Sequence, residues 1–444
     1  MASFFSFPYP FSSIIHSRIT RKTLNEPHVS EIDNKADCSL DNIDNSNEEV
    51  ELPNDILKAL ERQDEGSKPN IEELEVVTLA EEGEELKEVK IETHVTTEQK
   101  EALIALLREF HEIFAWSYQD MPGLDTDIVV HKIPLKPKCK PVRQALQRMK
   151  PEVILKIKEE VKKQLKAGFL STVTYSDWIA NIVPVSKKDG KVRMCMDYRD
   201  LNRASPKDNF PLPHIDTLVD NTATNVVFSF MDGFSGYNQI KMVEEDKSKT
   251  AFITHWGTFM YDVMPFSLKN AGATYQGAMV TLFHHMIHHE IEVYVDDMIA
   301  KSRIIQDHLT NLRKLFQRLK KYQLRLNPNK CAFSVTFGKL LGFIISGRGI
   351  QIDLAKVQAI RSMPAPKTEK EIRNFLGRIN YVARFIAQLT TTCEPLFKLL
   401  RKNVKIEWTK DCQKAFDKIK EYLLSPPILV PPTPRRPLIL YLTV

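Results

Sequence analysis

The segment IEVYVDDMIA (291–300) constrains this chain more than any other. Its apolar stretches are too short for helices, and they are rich in β-branched and aromatic residues, so they read as two strands folded back around a two-carboxylate tip, Asp296 and Asp297. Upstream, VVFSFMD (226–232) is a further strand that ends on Asp232. Carboxylates at strand ends are rigidly held yet exposed, an arrangement suited to hard cations such as Mg²⁺ that prefer oxygen ligands. Two such ions ~3.5–4 Å apart activate an attacking hydroxyl and stabilise a leaving oxygen in phosphoryl transfer. The Asp-Asp dipeptide alone also fits an ordinary hairpin turn, which Asp tolerates.

The surroundings alternate short strands and helices. EQKEALIALLREFHEIFAW places Leu103, Leu106, Leu107, Phe110 and Phe114 at helical spacing. A basic, Pro-marked extended stretch, KPKCKPVRQALQRMK, precedes a helix opened by Pro151, faced by Ile154, Ile157, Val161 and Leu165 and closed by Gly168. NIVPVSKKDGKVRMCMDY reads as a hairpin turning at Asp189-Gly190, and FSGYNQIKM leads away from the Asp232 strand. Leu309, Leu312, Leu315, Phe316 and Leu319 mark an amphipathic helix, and KLLGFIISGRGIQI a hairpin. Thr368 and Glu371 form a capping box ahead of Ile372, Phe375, Leu376, Ile379, Val382 and Phe385. A last helix covers about 414–424 before Pro426-Pro427, and RPLILYLTV reads as a strand.

Charge divides the chain. Residues 31–90 carry 20 acidic side chains against 6 basic ones and show little periodicity, so they read as a solvated acidic linker. Because the whole chain is nevertheless +5, the remainder is strongly basic, which suits a polyanionic partner through counterion release. The six cysteines form no CxxC pair, and neither a zinc module nor a disulfide framework is indicated. No apolar run reaches the ~20 residues of a membrane helix. Residues 1–94 are therefore expected to be an unstructured tail and linker.

Several blocks then point together. YVDD between apolar strands resembles the signature of reverse transcriptases, and FSFMDGFSGYNQI the strand that carries their first catalytic aspartate. VPVSKKDGKVRMCMDYRDLN resembles their fingers hairpin, and MPFSLKNAGATYQ their nucleotide-pocket segment. NKCAFSVTFGKLLGFIISGRGI and PAPKTEKEIRNFLGRINYVARFI resemble the region C-terminal to the palm in gypsy-type long-terminal-repeat retrotransposons. WIANIVPV and CEPLFKLLRK are similar to plant versions. The blocks stand in the family's order across roughly residues 95–444, which is far more specific than any one motif.

The resemblance implies an α+β right-hand polymerase of fingers, palm and thumb, with an antiparallel palm sheet. The implied divisions are 95–164 for a pre-polymerase segment and first fingers helix, 165–347 for fingers and palm, 348–428 for a thumb-like helical region, and 429–444 for the truncated start of a ribonuclease H-like domain. Asp232 and Asp296 become the principal ligands of two Mg²⁺ ions (or Mn²⁺), with Asp297 less direct. Tyr237 becomes the aromatic gate against a 2′-OH, Phe266 packs near the nucleotide sugar, and Lys187 and Arg193 reach the triphosphate. Without the family, Tyr237 and Phe266 read as packing aromatics, and the two cations as a solvated hairpin face. The implied partners are an RNA or DNA template with its primer and deoxynucleoside triphosphates, in a cytoplasmic retroelement particle, with no membrane. The rival expectation is a nucleic-acid-binding remnant with weakened catalysis.

One position departs from the family. Ser267 stands where MPFGL has glycine, so an added Cβ stands near the nucleotide pocket. FHHMIHHE offers a competing metal site, with His284 and His288, or His285 and His289, at i,i+4 on a helix. The Asp-Thr-Gly or Asp-Ser-Gly motif of an aspartic protease is absent from the sequence, as is the paired His and Cys module of an integrase.

Overall fold

The computed structural model describes residues 74–79, 87–93, 96–186, 192–401 and 407–432. Its centre is a six-stranded sheet in the order Leu74–Thr78, Glu88–Glu92, Ala332–Val335, Val227–Asp232, Asp297–Ser302, Ile291–Tyr294. All neighbours are antiparallel except Ala332–Val335 with Glu88–Glu92, which run parallel.

The central strand shows why this sheet can be buried on both faces. Along VFSFMD, Met231 joins one hydrophobic core, while Phe228 and Phe230 join the other. Side chains alternate across a strand, so a single near-continuous apolar run feeds both layers. The first core is covered by helices Thr97–Glu109, Ala271–Phe283 and Ile305–Lys321. The second holds helix Ile215–Thr222, the antiparallel sheet of Phe337–Leu340, Phe343–Ser346 and Gly349–Ile352, and the C-terminal helices. Ser229, the polar member of the strand, lies 2.8 Å from His308 Nε2, and Ser302 Oγ is 3.0 Å from His308 Nδ1. Burial holds His308 down at about 4, so a neutral ring pins helix Ile305–Lys321 to the sheet.

Most expected elements are found. Helix Thr97–Glu109 is capped by Thr96, and helix Pro151–Lys166 has Pro151 in its first turn and Gly168 beyond its end at φ +73°. That helix runs past the division drawn at 164. The fingers hairpin pairs Ile182–Ser186 with Val192–Met196, although its Asp189-Gly190 turn lies outside the described residues. The capping box of Thr368 and Glu371 opens helix Glu369–Tyr381, and Val382 and Phe385 are buried just beyond it. RPLILYLTV lies outside the described residues.

Three expectations need correction. The acidic linker does not run unbroken to 94, because Leu74–Thr78 and Glu88–Glu92 are strands of the central sheet. Val77, Val89 and Ile91 are buried, and Val89 and Ile91 alternate with Glu88 and Lys90 in a period-two pattern hidden by the high acidic content. Glu92 is itself buried and accepts from Thr336 N (2.7 Å) and Oγ1 (2.9 Å). KLLGFIISGRGIQI is part of a three-stranded sheet rather than a lone hairpin, since its first residues belong to a third strand, Phe337–Leu340. The last helix spans Lys410–Tyr422, starting earlier than expected because Thr409 Oγ1 accepts from Cys412 N. Helices Leu354–Arg361 and Leu389–Lys398 had no legible signal: the first is short, and the second contains three threonines and Pro395. Among the described residues no helix is long and apolar enough to cross a membrane.

Candidate active site

The three aspartates meet at one end of the central sheet. Asp297 is the direct cross-strand partner of Asp232, and Asp296 sits in the turn between Ile291–Tyr294 and Asp297–Ser302. The turn is held from two sides. Gly233 N donates to Asp296 O (3.0 Å), while Val295 N donates to Gln276 Oε1 (2.7 Å). Gln276 Nε2 in turn donates to Val293 O (3.3 Å). Val295 has φ +52°, a left-handed conformation that strains a β-branched residue by roughly 1–3 kcal/mol, so these bonds fix a turn the sequence disfavours.

Among the described residues the three carboxylates have Lys330 beside them, its Nζ 3.3 Å from Asp232 Oδ2. Burial raises the pKa of all three. For Asp296 it acts with the charges of Asp232 and Asp297, and carries the group well above the carboxylate range. Asp297 is pushed up to about 7 by burial and by Asp232, against the opposing pull of Lys330. Asp232 rises by burial, again opposed by Lys330. Asp296 Oδ1 is enclosed and has no hydrogen-bond partner.

An all-oxygen donor set with uncompensated charge fits a hard divalent cation. Among the described residues no three acidic, His or Cys groups converge tightly enough to enclose an ion by themselves. A hard cation held here would complete its shell with water or substrate oxygens. The histidine cluster does not form the geometry expected of it. Helix Ala271–Phe283 ends before His284, and His288, at φ +70°, lies 2.9 Å from Glu292 Oε2.

Beside the aspartates lies an aromatic floor. The Tyr237 ring is 5.8 Å from Phe266 and 5.7 Å from Tyr275. Phe266 packs against Cys195 of the fingers hairpin, as do Val183 and Val185, which links the hairpin to the floor. Arg193 is the cross-strand partner of Val185 and so shares that face. Lys187 lies outside the described residues. The structure thus brings together Asp232, Asp296, Asp297, Tyr237 and Phe266, and turns Arg193 toward the same side. Tyr275, Gln276 and Lys330 have no signal of their own in the sequence, although the first two close the segment MPFSLKNAGATYQ and Lys330 is the second residue of NKCAF.

Ser267 has φ +77°, and its hydroxyl is buried without a partner. Asn202 fixes the loop by donating to Ser267 O (2.8 Å) and accepting from Lys269 N (2.8 Å). The position therefore demands the backbone freedom of glycine, and it is not regular structure.

Residues 185–345 match the family described as "Reverse transcriptase (RNA-dependent DNA polymerase)". The chain carries a reverse transcriptase domain. It is 33% identical over 304 residues to the "Retrovirus-related Pol polyprotein from transposon 297" of Drosophila melanogaster, covering 67% of this chain and 28% of that protein. It is 31% identical over 271 residues to the "Transposon Tf2-3 polyprotein" of Schizosaccharomyces pombe, covering 61% and 20%. The chain thus spans under a third of either relative. In fold, the reverse transcriptase domain and its surroundings resemble a foamy viral protease-reverse transcriptase solved with dsDNA, at TM-score 0.70 and 24% identity, over 78% of this chain and 71% of that one. A second foamy viral structure, solved with an RNA/DNA hybrid, matches at TM-score 0.66 over 76% and 45%.

The electrostatics and strain of this reverse transcriptase domain predict two outcomes. Asp297 ionises near 7 when folded but near ~3.9 when unfolded, so between these values the folded chain holds more protons. Its contribution to metal-free stability therefore falls as pH rises from about 4 to 7 and stays low above. Asp297→Asn should melt higher than the wild type at pH 8 without metal, by on the order of 2 kcal/mol, and the difference should shrink toward pH 5. Equal melting at both pH values would show that Asp297 ionises normally. Ser267→Gly should raise stability by roughly 1 kcal/mol, since it removes both the strain and an unpartnered hydroxyl; a lowered melting temperature would contradict the positive φ of this residue.

Proposed function

We propose that the chain is an RNA-directed DNA polymerase that extends a primer with deoxynucleoside triphosphates on an RNA or DNA template. The observation that carries this reading is the cross-strand pairing of Asp232 with Asp297, with Asp296 in the adjoining turn, inside a reverse transcriptase domain. Asp232, Asp296 and Asp297 would hold two Mg²⁺ ions, with Mn²⁺ as a substitute; when bound, these lower the pKa of the primer 3′-hydroxyl and offset charge on the α-phosphate and departing pyrophosphate. The chain's own residues do the rest. Lys330 draws Asp232 into place. The Tyr237 ring, braced by Phe266, leaves no room for a ribose 2′-OH. Arg193 reaches the triphosphate, a role the family resemblance also gives to Lys187.

In this reading residues 165–347 are fingers and palm, and 348–428 a thumb-like helical region. The lineage is that of a plant retroelement, and the setting a cytoplasmic particle. Two relatives in fold were solved on dsDNA and on an RNA/DNA hybrid, which supports a nucleic-acid cleft. One observation favours the rival reading of a weakened remnant: Ser267 occupies a glycine conformation.

Asp232→Asn or Asp296→Asn should abolish primer extension while leaving primer–template affinity nearly intact, because duplex binding rests on dispersed phosphate contacts. Near-normal extension by either variant would sink the assignment. Tyr237→Ala should admit ribonucleotides in single-turnover incorporation, and an unchanged ribo-to-deoxy ratio would leave Tyr237 a packing residue.

A further inference from the structure

Beneath the catalytic turn two buried oxygens lack partners. One is Asp296 Oδ1; the other is the hydroxyl of Tyr275, a residue only 1% exposed. Both face the same small space over Gly236. A Cβ added to Gly236 would collide with Asp296 Oδ1 and come within 2.9 Å of Tyr275 Oη, and one added to Gly233 would lie 3.0 Å from Tyr275 Oη. Leaving a buried hydroxyl unpaired costs about 1–3 kcal/mol, and an enclosed carboxylate oxygen costs more. Phenylalanine would give the same ring packing against Tyr237 without that cost. Tyr275 also neighbours Gln276, which already holds the turn backbone from the same helix.

We infer that Tyr275 is a positioning residue for Asp296: its hydroxyl donates to Oδ1, directly or through one enclosed water, and so aims the carboxylate's other oxygen outward toward the divalent ion. This rests on the catalytic reading proposed above. One helix thereby controls both parts of the turn, Gln276 its backbone and Tyr275 its acid. Gly233 and Gly236 are the residues small enough to leave room between them. Partners of this kind behind a metal-binding carboxylate are worth roughly 10–100-fold in metal affinity.

The test is a Mn²⁺ titration, following the free ion by electron paramagnetic resonance. It uses the full chain with a dideoxy-terminated primer–template and the next deoxynucleotide, so that no turnover occurs. The wild type, Tyr275→Phe, Asp296→Asn and the double variant are compared, with metal-free melting measured alongside. Tyr275→Phe should raise the Mn²⁺ dissociation constant roughly tenfold while its metal-free melting temperature stays level or rises. In the Asp296→Asn background it should add nothing. Wild-type affinity in Tyr275→Phe, or an equal further loss in the Asp296→Asn background, overturns the inference and leaves the catalytic reading standing. If Asp296→Asn binds Mn²⁺ as the wild type does, the catalytic reading fails and the inference with it.

Discussion

The pairing of Val227–Asp232 with Asp297–Ser302 carries the rest of the molecule. Its register runs unbroken from Asp297↔Asp232 to Ser302↔Val227. A slip of one residue would send Phe228 and Phe230 into the wrong core and separate the two carboxylates. Because both faces of this sheet are packed, the register is fixed by hydrophobic burial far from the acidic end. The site thus inherits a position that its own repelling charges could never have enforced.

That repulsion is a standing electrostatic load. Three carboxylates share a half-buried end of the sheet with Lys330 beside them, and each is driven toward its protonated form. The rigid surroundings answer it. Asp296 O accepts from Gly233, Asp232 O from Asn327 N at 2.8 Å, and the strained Val295 turn is tied to Gln276. A flexible loop would relax by splaying the acids apart, whereas a strand end cannot. The arrangement is tuned to a cationic partner more than to its own comfort.

Much of this was legible in the sequence, for physical reasons. Short apolar strands ending in Asp232 and in YVDD announce themselves by period and by the abrupt change to carboxylate. The capping box of Thr368 acts locally and marks its helix start, whereas the lone caps Thr96 and Thr409 carry too weak a local signal to stand out. Tertiary facts were hidden. Val77, Val89 and Ile91 sit among so many acids that their alternation reads as noise until a partner strand is supplied. Tyr275 and Lys330 are ordinary in their own segments, and only the crossing of helix Ala271–Phe283 and of the 327–330 turn beside the sheet gives them neighbours. The helical premise for the histidines failed because a helix end depends on what packs beyond it.

The parallel pairing of Glu88–Glu92 with Ala332–Val335 has a consequence in time. Glu92 and Thr336, joined by two hydrogen bonds, are 244 residues apart in sequence. At a synthesis rate of about 5–20 residues per second, the early strand waits tens of seconds on the ribosome before its mate exists. Through that interval its β-branched residues could pair with any passing edge. The dense negative charge around it repels other chains during the wait, and the last strand to arrive, AFSV, brings no charge of its own. The acidity that disguises this segment as a linker keeps it available for the sheet.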